Sequence, residues 1–161
     1  MIAVTHLHEA AWGAAMDEAL TLAREAGDAG EVPVGAVVLD ASGAIVGRGR
    51  NRREVDRDPS AHAEVVAIRE AAAASGTWRL DGCTLVVTLE PCLMCAGAIL
   101  QARVPRVVLG AWDERAGATG SQWDVLRDAR GSAPVEVIAG VRAPECAQVL
   151  RDFFEPRRGP A

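Results

Sequence analysis

Lysine and tyrosine are both absent from these 161 residues, and only two phenylalanines occur. Every cationic side chain apart from histidine is therefore arginine, and the core must be built largely from Ala, Val, Leu and Ile. No apolar run approaches the roughly 20 residues needed to span a bilayer. The opening MIAVTHLHEAAW lacks the basic start and continuous apolar block of a signal peptide. These absences predict a cytoplasmic protein without a membrane partner. In that reducing setting its four cysteines are more often ligands or free thiols than disulfides. A net charge of −5 excludes nucleic-acid binding driven by bulk charge, though a local basic face can act alone. Arg48, Arg50, Arg52, Arg53 and Arg57 form one arginine cluster, and Arg151, Arg157 and Arg158 another. Composition by itself favours a solvated surface for both.

The length suits one domain. Residues 9–26 space Ala, Trp, Met and Leu for a helix, with Gly27 as a stop. The apolar run at 32–40, the turn ASG and the run AIVGRGR predict a hairpin, followed by a polar connection, NRREVDRDP. A helix is expected over 61–74, a buried strand at CTLVVTLE and a helix at PCLMCAGAILQAR. PRVVLGA reads as a strand, WDERAGATGSQWD as a loop and VLRDA as a short helix. VEVIAGV is the last strand and PECAQVLRDFFE the last helix. Strands alternating with helices after an opening hairpin predict an α/β sandwich with a mixed sheet.

The segment EPCLMC, residues 90–95, poses the chemical question. Pro91 fits the first turn of a helix, which places Cys92 and Cys95 at i and i+3 on one face. Two thiols so placed suit a redox pair or half of a metal site. No second Cys or His pair stands at similar spacing, and Cys83 and Cys146 are isolated. Some 30 residues earlier, PSAHAEV puts His62 and Glu64 at the start of the preceding helix. Two helix N-termini aimed at one spot favour thiolates and a metal. His62, Cys92 and Cys95 then supply three ligands and leave zinc's fourth position open for water, the mark of a catalytic site. Glu64, in the same first turn and not itself a ligand, can move protons.

H-x-E…P-C-x-x-C is the signature of the zinc-dependent deaminases. Beyond it, EVPVGAVV, DPSAHAEVVAIRE, WRLDGCTLVVTLEPCLMCAGAI and the closing DFFEPRR resemble the bacterial tRNA adenosine deaminases from the first helix to residue 158. The resemblance implies a cytidine-deaminase-like three-layer α/β/α sandwich with a mixed sheet of about five strands. It implies one domain over 1–156 with a short basic tail at 157–161, one zinc per subunit, and a homodimer in which both subunits bind RNA. The implied reaction converts adenosine to inosine at the wobble position of the arginine tRNA anticodon stem-loop. Glu64 is the catalytic residue, passing a proton from the attacking water to N1 of adenine and then helping ammonia leave.

For substrate, the resemblance implies that Asn51 hydrogen-bonds the target nucleotide, that Val34 and Ala63 wall the base pocket, and that Asp113 lies near the flipped nucleotide. Phe153 and Phe154 match a pair whose ring contacts the anticodon loop, and Arg157 and Arg158 match its phosphate-contacting end. Without that context, Asn51 and Asp113 read as turn formers, Val34 as hairpin core and one Phe as a buried helix face. Three departures stand out: Trp112, where relatives are more often polar; Arg115 in place of Lys; and GSAPVEV, where Ser132, Ala133 and Pro134 replace a segment expected to touch RNA. The alternative within the same zinc chemistry is a deaminase of a free base or nucleoside, of guanine or cytosine type.

Overall fold

The computed structural model of the chain describes residues 2–128 and 133–157. Helix α1 (Ile2–Asp28) precedes strands β1 (Gly35–Leu39) and β2 (Ile45–Arg50), then helices α2 (Arg53–Asp56) and α3 (Ala63–Ser75). Strand β3 (Thr84–Leu89), helix α4 (Leu93–Gln101), strands β4 (Arg106–Ala111) and β5 (Glu136–Ala139) and helix α5 (Ala143–Phe154) complete the order, with a 3₁₀ turn at Glu155–Arg157. The sheet runs β2-β1-β3-β4-β5. β1 is antiparallel to both β2 and β3, whereas β4 is parallel to β3 and β5 to β4. The sheet is mixed and five-stranded.

Side-chain alternation along the strands divides the interior into two layers. Ala36, Val38, Leu85, Val87, Val107 and Leu109 face α3 and α4, packing on Ala67, Ala71, Ala96 and Ile99. Val37, Leu39, Val86 and Val108 face the other way, onto Met16, Ala19 and Leu20 of α1 and Cys146 of α5. Small alanines at these helix positions let the helices lie close on the sheet, which is how a core poor in aromatics stays filled. The three-layer α/β/α expectation holds.

Several boundaries differ from expectation. α1 begins earlier than residue 9, and α2 lies inside the stretch read as a polar connection. Glu31, 2% exposed, explains α2: one carboxylate oxygen accepts the Glu54 and Val55 amides at 2.8 and 2.9 Å, satisfying the helix start. The helix expected at VLRDA does not form over its described residues: 125–127 are a turn, and Ala129 lies outside the described residues. Their backbone groups are used elsewhere, the Val125 amide donating to Ala118 and the Leu126 carbonyl accepting from Val135.

This topology also determines where chemistry can occur. β2 and β3 run in the same direction, because each is antiparallel to β1. The helices that follow them, α3 and α4, therefore start at one edge of the sheet, beyond the strands' carboxyl ends, where open α/β sheets bind ligands. Gly49 holds α3 there. A Cβ at that position would overlap the Ala63 carbonyl oxygen and lie 3.1 Å from its carbon. Gly49→Ala is expected to lower stability by about 2 kcal/mol and to reduce bound zinc, since the displaced residue adjoins His62 and Glu64. Thermal melts and metal content check this.

Candidate active site

His62 is the N-cap of α3 (φ −73°, ψ 153°) and Cys92 the N-cap of α4 (φ −76°, ψ 177°), and neither side chain bonds its own helix. An N-cap usually spends its side chain on the N2 or N3 amide. Here the imidazole and thiol turn toward each other across the sheet edge. His62 Nδ1 lies 3.6 Å from Cys92 Sγ and 3.5 Å from Cys95 Sγ. Pro91 thus precedes the helix and does not enter its first turn, and of the two cysteines only Cys95 has helical backbone. The physical reason is pairing: the Pro91 carbonyl accepts the Ala118 amide, and Cys92 bridges to Gly117, so this segment stays extended.

These three side chains fit zinc. Tetrahedral zinc with Zn–S of about 2.3 Å and Zn–N of about 2.0–2.1 Å places its N and S ligands about 3.6 Å apart. The observed separations are 3.5 and 3.6 Å, and all three ligand atoms lie within 4.8 Å of one another. Among the described residues this is the one cluster of at least three metal-ligating groups. Both helix N-termini present their positive ends to it.

Protonation follows from the same closeness. The Cys95 thiol donates to Cys92, which with His62 pulls Cys92 down to about 3 against the opposing effect of burial. Cys95 is pushed far above the usual thiol range by that same bond and by burial. The bond to Cys92 raises His62. The two thiols thus share one proton, which a metal ion would displace. Glu64, 4% exposed, is pushed from 4.5 up to about 7 by burial, with its own backbone amide and His62 opposing. A carboxyl balanced near neutrality can both accept and return a proton.

A cavity of about 160 Å³ opens onto this cluster, and its lining includes Val34, Asn51, Ala63, Glu64 and Asp113. The structure therefore gathers the three residues that could hold a metal, the expected proton carrier and four expected substrate residues in one place. The turn-forming roles hold as well. Asn51 Nδ2 donates to the Val32 carbonyl at 3.2 Å, and Asp113 Oδ1 accepts the Arg115 and Ala116 amides at 3.0 and 3.2 Å. Phe153, Phe154 and Arg157 do not join this cavity. Phe153 and Arg157 border a separate hollow with Arg24, Asp28 and Pro33. Arg157 stacks over the Phe153 ring at 3.7 Å, and Phe154 is 40% exposed. Arg158 and Ser132 lie outside the described residues. Ala133 and Pro134 border a hollow near the start of β5, at the sheet edge opposite the cavity.

Sequence reasoning missed Glu90. Only 2% exposed, it accepts amides from Asp113 at 2.9 Å, Thr119 at 3.0 Å and Ser121 at 3.1 Å, and so fastens the loop that carries Asp113. Burial works against its charge, but the Ser121 hydroxyl and these amides outweigh it and hold Glu90 below its ordinary 4.5. Its stabilisation is thus fully present above pH 4.5 and is lost as pH falls through the lowered value. The sequence signal was a carboxylate closing an apolar strand. Glu90→Ala is expected to cost about 3 kcal/mol, because several amides lose a charged acceptor. Denaturant titration measures it.

Residues 12–111 match the family described as the cytidine and deoxycytidylate deaminase zinc-binding region. The chain belongs to this deaminase family. Among its relatives is the tRNA-specific adenosine deaminase of Bacillus subtilis, 46% identical over 143 residues that cover 89% of this chain and 88% of the relative. The tRNA(Ile)-lysidine synthase of Deinococcus radiodurans is 57% identical over 146 residues, 90% of this chain. The chain spans only 25% of that protein's length. In three dimensions this deaminase-family chain is similar to a protein from a study of A-to-I editing by tRNA:A34 deaminases at the wobble position. There the TM-score is 0.82 and the identity 40%, over 86% of this chain and 99% of that one. A guanine deaminase from Nitrosomonas europaea is also similar, with TM-score 0.75 and 29% identity over 88% of this chain and 84% of that one.

Proposed function

We propose that this chain, as a single domain over 1–156 with a short basic tail, hydrolytically deaminates adenosine to inosine at the wobble position of tRNA. Its substrate is the arginine tRNA anticodon stem-loop, and its compartment the cytoplasm; no helix among the described residues is long and apolar enough to cross a membrane. The observation that carries the reading is Glu64, a buried carboxyl raised to about 7, in the cavity lined by His62 and Cys92, behind which the buried Cys95 completes a set of three zinc-fitting donors. The similarity to tRNA-specific adenosine deaminases over most of the chain supports RNA as substrate.

His62, Cys92 and Cys95 hold one zinc, which when bound makes water acidic enough to act as a nucleophile at neutral pH. Glu64 takes one proton from the water and delivers it to N1 of the adenine as C6 is attacked; it then takes the second proton, from the new C6 hydroxyl, and passes it to the exocyclic amino group, which leaves as ammonia as C6 becomes the carbonyl of inosine. Val34 and Ala63 wall the base, and Asn51 holds the nucleotide. Asp113, kept in place by Glu90, closes the opposite side. The cavity, about 160 Å³, suits one flipped base and excludes folded RNA, so the rest of the anticodon loop lies on the surface around it. Phe153, Phe154, Arg157 and Arg158 serve that outer surface.

A homodimer completes the reading. Leu93 and Met94 on α4 are 49% and 38% exposed, and Trp78 is 61% exposed. Trp78 borders a hollow of about 560 Å³ between α3 and α4 with Val65, Ile68 and Ala98. A second copy covering that apolar side explains why these side chains face outward.

Incubating purified protein with unmodified arginine tRNA is expected to yield inosine at the wobble base, with no ammonia from free guanine or cytosine. Ammonia from a free base with no inosine in tRNA establishes the free-base reading in its place.

A further inference from the structure

Trp112 is 46% exposed, although it follows directly on the buried end of β4. Its backbone has almost no freedom. On one side Ala111 pairs in register with Leu89. On the other, the Asp113 amide donates at 2.9 Å to the buried Glu90 carboxylate. The six-membered end of the indole lies against Gly120, where an added Cβ would come within 3.2 Å of Cζ3 and Cη2. Gly120 has φ +149°, a conformation that L side chains rarely adopt. The ring is thus braced by a residue with no side chain to cover it, and a shallow hollow of about 500 Å³ opens beside it, bordered by Glu114, Ser121 and Gln122. Asp113, its neighbour in the chain, lines the catalytic cavity.

We propose that Trp112 is a stacking platform for the nucleobase adjoining the target nucleotide in RNA. The inference rests on the RNA reading above. A cavity that admits one base forces the adjoining nucleotides onto its rim, and Trp112 is the chain neighbour of Asp113, which lines that cavity. An exposed indole held by a rigid backbone offers a base its π-face at little ordering cost. Glu114 is the one charged residue bordering the hollow, and the Arg127 guanidinium beside Gly120 is paired with Asp124, so the hollow favours a base over the sugar-phosphate chain. Trp112 is therefore a substrate-binding residue whose grip depends on having a base there more than on which base it is.

The test crosses protein and RNA variants. Stem-loops carrying the target adenosine are made with natural neighbours, or with an abasic site on its 5′ or its 3′ side. Single-turnover kcat/KM is measured for wild type, Trp112→Ala and Trp112→Phe. On the natural stem-loop Trp112→Ala is expected to lose roughly tenfold to a hundredfold, and Trp112→Phe to recover most of it. One abasic neighbour should cost wild type a similar factor and leave Trp112→Ala unchanged, with zinc content and melting temperature as in wild type. Two results overturn the proposal: Trp112→Ala acting like wild type on the natural stem-loop, or its loss persisting undiminished on both abasic ones. The latter makes Trp112 a loop-packing residue. Absence of inosine from wild type on every stem-loop overturns the RNA reading itself, and this inference with it.

Discussion

Glu64→Gln is expected to keep one zinc per chain and to lower inosine formation by roughly a thousandfold or more. The substitution preserves shape and keeps a polar group in the buried position, so the fold and the three ligands stay in place. What it removes is the ability to bind and release a proton. Burial brings Glu64 up to about 7, where neither protonation state is strongly preferred at neutral pH, and this balance allows one group to serve both transfers. Gln has no such equilibrium. Metal analysis together with single-turnover assays on arginine tRNA checks the result, and a near wild-type rate would show that another group moves the proton.

Cys95→Ser is expected to fail in the opposite way, losing the metal first and activity as a consequence. Cys95 is fully buried, and its Sγ is 3.5 Å from His62 Nδ1. A serine hydroxyl is shorter and is not ionised at neutral pH, so it cannot replace a thiolate. Losing an outer partner of a metal ligand typically costs about 10–100-fold in affinity, and losing the ligand itself costs more. Because ligands must be deprotonated to bind, the wild-type site is also expected to release zinc progressively on acidification. A competitive zinc titration across pH follows both effects. Full zinc occupancy in Cys95→Ser would remove this cysteine from the ligand set. The two variants together separate the roles: one empties the site, and the other leaves it filled and idle.

The periodicity of the chain was enough to read α3, α4, α5 and all five strands to within a few residues, because their apolar positions recur at the spacing each element buries. The misreadings share one cause. α2 forms because Glu31, more than 20 residues earlier, caps it. Residues 125–128 of VLRDA are not helical because Ala118 and Val135, seven and nine residues away, engage the Val125 amide and the Leu126 carbonyl. Pro91 and Cys92 stay extended because the loop at 117–118 pairs with them. In each case a hydrogen bond to a group outside the segment outweighed local preference, and the segment's own residues do not reveal that partner. Glu90 belongs to the same class: its importance comes from three amides 23 to 31 residues away.

By itself the sequence determined which reactive groups are on offer: a His-x-Glu and a Pro-Cys-x-x-Cys, each at a helix start, match the zinc-deaminase signature and so point to three candidate zinc donors and a candidate proton carrier. Only the tertiary structure decided that they meet. β2 and β3 run the same way because β1 is antiparallel to both, so the helix starts that follow them share one sheet edge. The same geometry buries Glu64 deeply enough to bring it near neutrality, and places Phe153 and Arg157 around a different hollow. Spacing along the chain encodes which groups are available, while distance and dielectric between them arise only once the sheet has formed.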